Sequence, residues 1–322
     1  MNSSETLWVT VSQVTHEADD IRSFELRPLD GGPLPPFEAG AHVDVHIGTQ
    51  YIRQYSLCNN PAERDRYEIG VLNDRTGRGG STALFELFEV GHKVQISVPR
   101  NHFRVDPEAE HVLLIGAGIG ITPLLSMAEQ LHSADRSFEL VYRSRCRERA
   151  GFVERINTAP WSGQAQIYLS SELVQPFELD TVLASAASGT QVYTCGPEGF
   201  IAAVEAAAGR ALLSPSAVRK ELFTNANLNT ATGEREFKVT LAQSGGTYTI
   251  PVGRSVVDVL QEEGVDVLVS CESGVCGSCV VGVIDGVPEH RDVFLTDEER
   301  ASNAEFTPCC SRAVGDHLTI DL

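Results

Sequence analysis

Residues 111–132 read HVLLIGAGIGITPLLSMAEQLH. A short run of apolar residues ends in a glycine turn, and a longer apolar-rich stretch follows. An unbroken apolar run of this length, bounded by glycine, is the pattern of a strand buried on both faces, and the stretch after it has helical length. Thr122 is expected to cap that helix, with Pro123 in its first position, where no N–H is needed. Gly116, Gly118 and Gly120 do not follow the G-x-G-x-x-G spacing, so the standard dinucleotide fingerprint is not met. They still lie at the carboxyl end of a strand, where bare backbone can approach a pyrophosphate and a helix start favours anions.

Downstream, FELVYRS (138–144), AQIYLSS (165–171) and QVYTCGPEGFIAAVEAAAG (191–209) continue the alternation of strand and helix. That alternation predicts an open parallel sheet with crossover helices. Cys195-Gly196-Pro197 closes another strand on the same edge. A small buried cysteine is the bland reading of Cys195. Arg143, Ser144 and Arg145 follow the second strand, where an adenosine ribose would lie, and arginines there could hold a 2′-phosphate.

Upstream the character is different. WVTVSQV, SFELRPL, AHVDVHI, QYIRQYSL, RYEIGVL and HKVQISV are short alternating runs separated by Gly, Pro and Asp, as in a sandwich or barrel. Within them Arg53-Gln54-Tyr55-Ser56 sets a phosphate-matching fork and a flat aromatic on one strand. In GRGGSTALF (77–85), Gly79, Gly80 and Ser81 open a helix whose free N–H groups suit a phosphate.

After the polar stretch RKELFTNANLNTATGER (219–235), EFKVTLA and TYTIPV read as a hairpin, SVVDVLQEEG as a short helix and DHLTIDL as a closing strand. Between them SCESGVCGSC (270–279) carries Cys271, Cys276 and Cys279 at C-x4-C-x2-C, and Cys309 lies farther on. Four thiolates can bind zinc or an iron–sulfur cluster. Structural zinc favours two short C-x2-C pairs, whereas a plant-type 2Fe–2S site uses this spacing and a distant fourth cysteine. Gly274 and Gly277 let the loop amides turn toward the sulfurs. Cys310 competes with Cys309, since neighbours on an extended chain point opposite ways and only one can ligate.

CESGVCGSC, FTPCCSRA and LTIDL together resemble the plant-type ferredoxin module of the phthalate dioxygenase reductase family, and the resemblance covers essentially the whole chain. It implies, in order, an antiparallel flavin-binding β-barrel (1–107), a parallel α/β NAD-binding domain (108–225) and a C-terminal β-grasp ferredoxin domain (234–322). It implies FMN, NADH and a 2Fe–2S cluster, with Cys309 as the fourth ligand beside Cys271, Cys276 and Cys279. Arg53, Gln54, Tyr55, Ser56, Val71, Leu72, Asn73, Gly79, Gly80, Ser81, Thr122 and Phe223 are the FMN candidates. Gly116, Gly118, Gly120, Thr122, Arg143, Ser144, Arg145, Cys195, Gly196 and Pro197 are those for the nicotinamide nucleotide. Ser56 and Cys195 are the candidate catalytic residues, where nicotinamide meets flavin. The activity implied is the reductase of a Rieske-type terminal oxygenase system. A reductase for another acceptor, such as a diiron hydroxylase, and a redox-sensing iron–sulfur protein stand as alternatives.

Bulk properties narrow the classes. The 322 residues carry a formal net charge of −19, which speaks against a nucleic-acid binder. From Glu234 to Leu322 there are 16 acids against 6 bases, a net of −10. A solvated surface is one reading; an acidic face that steers a basic partner is the sharper one. MNSSETLWVT lacks a basic start and an apolar core, and no apolar run approaches a membrane span. Eight cysteines without a paired framework fit a reducing compartment. A cytoplasmic monomer in transient contact with its partner is the expectation.

Overall fold

The structure, a computed structural model, describes residues 6–172, 177–184, 186, 189–223, 225, 228 and 234–322. The chain divides into two compact units, Met1–Glu221 and Leu222–Leu322.

The first unit opens with β1 (Thr6–Ala18), β2 (Ile21–Pro28), β3 (His42–Ile47), β4 (Tyr51–Ser56), β5 (Tyr67–Leu72), α1 (Gly80–Leu87) and β6 (Lys93–Ser97). These strands form one antiparallel sheet in the order β4–β3–β6–β1–β2–β5. A bridge between Leu57 and Ile69 joins its two edges, so the sheet curls into a nearly closed barrel. Closure removes the exposed edges that an open sheet would leave. Alternate residues point inward, and Val9, Val11, Phe24, Leu26, Val43, Val45 and Ile69 are fully buried. Each such side chain contributes about 1.5–3 kcal/mol relative to exposure.

The quoted stretch at 111–132 becomes β7 (His111–Ala117) and α2 (Ile121–Ser133). Then come β8 (Phe138–Ser144), α3 (Val153–Thr158), β9 (Ala165–Leu169), α4 (Leu179–Ala184), β10 (Thr190–Cys195), α5 (Glu198–Arg210) and β11 (Val218–Glu221). The five strands are parallel, in the order β9–β8–β7–β10–β11. The winding reverses between β7 and β10, and in open α/β sheets a ligand crevice opens at such a point. Two expectations are corrected here. The helix starts at Ile121, so Thr122 is not its cap; the Thr122 hydroxyl donates back to Ile119 O at 2.9 Å. The start of the supposed linker is β11, an edge strand whose sequence, VRKE, has too many charges to read as one.

The second unit contains β12 (Phe237–Leu241), β13 (Thr247–Ile250), α6 (Val256–Glu262), β14 (Val281–Asp285), β15 (Pro288–Glu289), α7 (Asp297–Ser302), β16 (Glu305–Phe306), β17 (Arg312–Ala313) and β18 (His317–Ile320). β12 and β13 form the expected hairpin, and the first and last strands, β12 and β18, run parallel in mid-sheet. A reciprocal cap starts α6: Asp258 N–H donates to Ser255 Oγ at 3.0 Å and Ser255 N–H to the Asp258 carboxylate at 3.1 Å. Its Val256, Val257 and Leu260 fill the core with Phe237, Phe306 and Leu318. Arg312 lies buried below the sheet, donating to the carbonyls of Arg254, Arg235 and Pro251. Among the described residues no helix is long and apolar enough to cross a membrane.

Candidate cofactor sites

Strand β4 presents Arg53 and Tyr55 from one side and Gln54 and Ser56 from the other, as the two-residue strand period requires. The Arg53 guanidinium lies over the Tyr51 ring, 5.2 Å from its centroid. The glycine turn before α1 folds directly onto these side chains. A Cβ on Gly79 would stand 3.0 Å from the Tyr51 hydroxyl, and one on Gly80 only 2.7 Å from Arg53 Nε. Gly79 also holds φ = +80°, a conformation that favours glycine. Arg53 and the N-terminus of α1 therefore sit together, with the amides of the first turn lacking intrahelical partners. Ser81 Oγ accepts from Asp74 N–H at 3.0 Å and Thr82 Oγ1 donates to Asn73 at 2.9 Å, tying the end of β5 to this helix. Val71 points into the barrel core, whereas Leu72 is exposed. Gln54 is turned to His42, with Nε2 atoms 3.2 Å apart.

At the end of β4, Ser56 is buried and its hydroxyl donates to the Glu221 carboxylate at 3.3 Å. Glu221 closes β11 and pairs in register with Cys195 at the end of β10. Burial pushes the Glu221 carboxyl up to about 8, and it pushes the Cys195 thiol well above its ordinary value. Ser56, Cys195 and Glu221 thus converge from three strands where the barrel meets the parallel sheet. Glu221 was missed from the sequence because it sits in the stretch read as linker; an acid in register with a candidate catalytic cysteine is visible only once β11 is paired.

The turn between the ends of β7 and β10 is built on glycine. A Cβ on Gly120 would collide with the Cys195 carbonyl group and stand 2.5 Å from Gly196 N, and one on Gly116 would stand 2.9 Å from Leu124 Cδ1. Gly118, at φ = +56°, has nothing within 4 Å of that position, so it edges open space. The barrel closes against the same loop: a Cβ on Gly70 would stand 2.6 Å from Thr122 Cγ2. Arg143 and Ser144 are the last residues of β8 rather than residues after it. Arg143 stacks over Phe177 at 5.5 Å, Ser144 is buried, and Arg145 is exposed. Phe223 falls in the second unit.

In that unit Cys271, Cys276, Cys279 and Cys309 are each buried to 7% exposure or less. Among the described residues no group of three or more His, Cys, Asp or Glu is gathered to chelate a single metal ion. The thiols contact one another in a chain instead, Cys271 with Cys276 and Cys309, and Cys309 also with Cys279 and Cys310. These contacts hold Cys271 well below the usual thiol range and push Cys309 above it. The loop amides turn inward: Ser273 N–H donates to Cys271 Sγ and Ser278 N–H to Cys276 Sγ, both at 3.4 Å. Gly274 and Gly277 both hold φ = +70°; a Cβ on Gly274 would stand 2.5 Å from Cys310 Sγ, and one on Gly277 2.6 Å from Phe294 Cε2. Paired thiols, inward amides and a glycine cradle fit a two-iron cluster. Cys309 and Cys310 lie in a turn rather than an extended strand, because the Cys310 and Ser311 amides both donate to Thr307 O. Strand alternation therefore does not separate them: the Cys309 and Cys310 thiols touch each other, and Cys310 Sγ also lies 3.4 Å from Thr307 Oγ1.

Residues 239–314 match the family model described as a 2Fe-2S iron-sulfur cluster binding domain. Residues 95–218 match the model for the N-terminal domain of a dimethylamine monooxygenase subunit DmmA-like protein. The chain is 43% identical to a vanillate O-demethylase oxidoreductase of Pseudomonas sp. strain HR199, over 98% of this chain and 99% of that protein. It is 39% identical to the phthalate dioxygenase reductase of Burkholderia cepacia, over 95% of this chain and 94% of that one. Its structure is similar to a solved phthalate dioxygenase reductase, titled a modular structure for electron transfer from pyridine nucleotides to 2Fe-2S. That match has a TM-score of 0.79, 37% identity and 98% coverage of both chains. On these grounds the chain belongs to the family of the vanillate O-demethylase oxidoreductases and phthalate dioxygenase reductases.

Proposed function

We propose that this chain is the reductase component of a Rieske-type oxygenase system, taking a hydride from NADH onto FMN and passing single electrons through a 2Fe–2S cluster to the terminal oxygenase. The observation that carries this reading is the meeting of Ser56, Glu221 and Cys195 at the switch point of the sheet. Gly118 edges open space beside that point, and Arg53 lies on the same strand as Ser56. Bound there, the flavin supplies the exchange between hydride and single electrons, and the cluster supplies the one-electron outlet.

The chain's own residues do the rest. Arg53 and the amides at the start of α1 suit the FMN phosphate, and Tyr55 offers an aromatic face to the ring. Gly116, Gly118 and Gly120 leave bare backbone for the pyrophosphate. Cys195 is held as a neutral thiol, so its part is to pack against the nicotinamide rather than to attack it. Glu221 holds a proton over most of the neutral range and accepts from Ser56, keeping that hydroxyl oriented. Arg143 is engaged with Phe177, which favours NADH over a 2′-phosphorylated nucleotide. Cys271, Cys276, Cys279 and Cys309 would hold the cluster, with the inward amides lowering charge on the sulfurs. The net −10 of residues 234–322 suits a basic patch on the oxygenase, in a transient encounter made by a monomer. Eight cysteines without a paired framework suit the reducing cytoplasm.

The test is purification under anaerobic conditions, with chromatography of the released flavin, iron analysis and NADH-driven cytochrome c reduction. FMN, two irons per chain and NADH-dependent turnover are expected. FAD, zinc in place of iron, or absence of NADH oxidation would overturn the respective assignment.

A further inference from the structure

Within the first unit, the segment leading into α3 is pressed against the barrel. Asp19 N–H donates to Glu148 O at 2.6 Å. Phe152, at φ = +63° and 1% exposed, sets its ring against Gly70, where a Cβ would stand 2.7 Å from Cζ. From this segment a charged side chain crosses to the barrel. Arg155 on α3 donates through Nη2 to Cys58 O at 2.7 Å and through Nη1 to Glu68 Oε2 at 3.0 Å. Both side chains are largely enclosed, at 24% and 14% exposure, so solvent screens the pair far less than a surface pair.

The place it grips matters. Cys58 N–H donates to Glu68 O at 2.9 Å, and the neighbouring Leu57–Ile69 bridge is the one that closes the barrel. Cys58 lies two residues beyond Ser56, just past the end of the strand that carries the flavin candidates. Resting on the functional reading above, we propose that Arg155 is a positioning residue, which fixes the nucleotide crevice at hydride-transfer distance from the flavin strand. A guanidinium suits this, because its planar fork fixes direction as well as distance, which a lysine cannot do. Glu68 keeps a second partner, Arg66 at 3.3 Å, so the barrel seam does not depend on Arg155 for charge balance.

The test uses the full chain loaded with flavin and cluster, comparing Arg155→Ala, Arg155→Lys and Glu68→Gln. Three readouts are needed: the flavin reduction rate at saturating NADH, the dissociation constant for NADH, and the long-wavelength absorbance of the NAD⁺–reduced-flavin complex. A misplacement near 1 Å predicts a rate lower by roughly 10–100-fold in Arg155→Ala, with flavin retained and NADH affinity changed by less than about threefold. The absorbance band should weaken in parallel, and Arg155→Lys should recover only part of it. An unchanged rate and band in flavin-loaded Arg155→Ala overturns the proposal. Should that variant lose its flavin, Glu68→Gln decides: a weakened band supports the staple, and a wild-type band and rate overturn it. Failure of the wild-type chain to bind flavin or oxidise NADH would instead sink the functional reading beneath it.

Discussion

Replacing Gly120 by alanine tests the crevice with little backbone confusion. Gly120 sits at φ = −64°, which any residue adopts, so the new methyl group costs nothing in conformation. Sterically it has nowhere to go: it meets the Cys195 carbonyl group and stands 2.5 Å from Gly196 N, and these are backbone atoms that no rotamer change can move. Ordinary contact begins near 3.4 Å, so the ends of β7 and β10 must part by about 1 Å. A displacement of that size at reacting atoms costs on the order of 10²-fold in rate. Gly118→Ala is the matched control. Its φ of +56° carries a penalty of about 1–2 kcal/mol, but nothing lies within 4 Å of the methyl group. Stopped-flow bleaching of the flavin by NADH should therefore fall about 100-fold at saturation in Gly120→Ala. In Gly118→Ala the loss should be mainly of NADH affinity, because that methyl projects into the open crevice. If Gly120→Ala reduces its flavin at the wild-type rate, the crevice is not where hydride leaves the nicotinamide.

Glu221→Gln should change the pH response. The folded carboxyl titrates near 8 against an ordinary 4.5, so stability is full below 4.5, falls as pH rises and levels off above 8, by at most about 5 kcal/mol. Denaturant titrations of the glutamine variant should lose that decline, and a decline left intact would reassign the group. Cys309→Ser should abolish or destabilise the visible and EPR spectra of the cluster while Cys310→Ser keeps them; the reverse would exchange the two thiols. Removing residues 234–322 should spare flavin reduction by NADH and end delivery to the oxygenase. In the intact chain, delivery should slow with salt, since exposed charges are screened over roughly 10 Å at 0.1 M; full oxygenase turnover by the truncated form would refute the route.

Much of this was legible because periodicity reports burial. The β7 run and the barrel strands have cores that must alternate or run apolar in sequence, and the structure pairs them accordingly. The C-x4-C-x2-C loop was readable because two of its glycines sit where left-handed backbone and close packing exclude other residues. What failed was governed by pairing rather than composition. VRKE is an edge strand, held by one neighbour, so its charges hid it and with it Glu221. Thr122 looked like a cap because Pro123 follows it, but α2 starts two residues earlier, at Ile121, directly after the 3₁₀ turn at Gly118–Gly120. That only one of Cys309 and Cys310 can ligate was argued from an extended chain, and the turn at Thr307 changes the geometry on which that rested; the choice of Cys309 came from the resemblance. Arg155 gave no sequence signal, since its partners Cys58 and Glu68 lie in another sheet.

The central claim is that electrons entering as hydride leave singly through the cysteine loop. Anaerobic titration of the flavin- and cluster-loaded chain with NADH, followed by optical absorbance and EPR together, tests it most directly. Flavin bleaching should be accompanied by a reduced two-iron EPR signal approaching one spin per chain, and that signal should vanish in Cys309→Ser while bleaching persists. A cluster that dithionite reduces but NADH leaves oxidised, with the flavin fully bleached, would contradict the account.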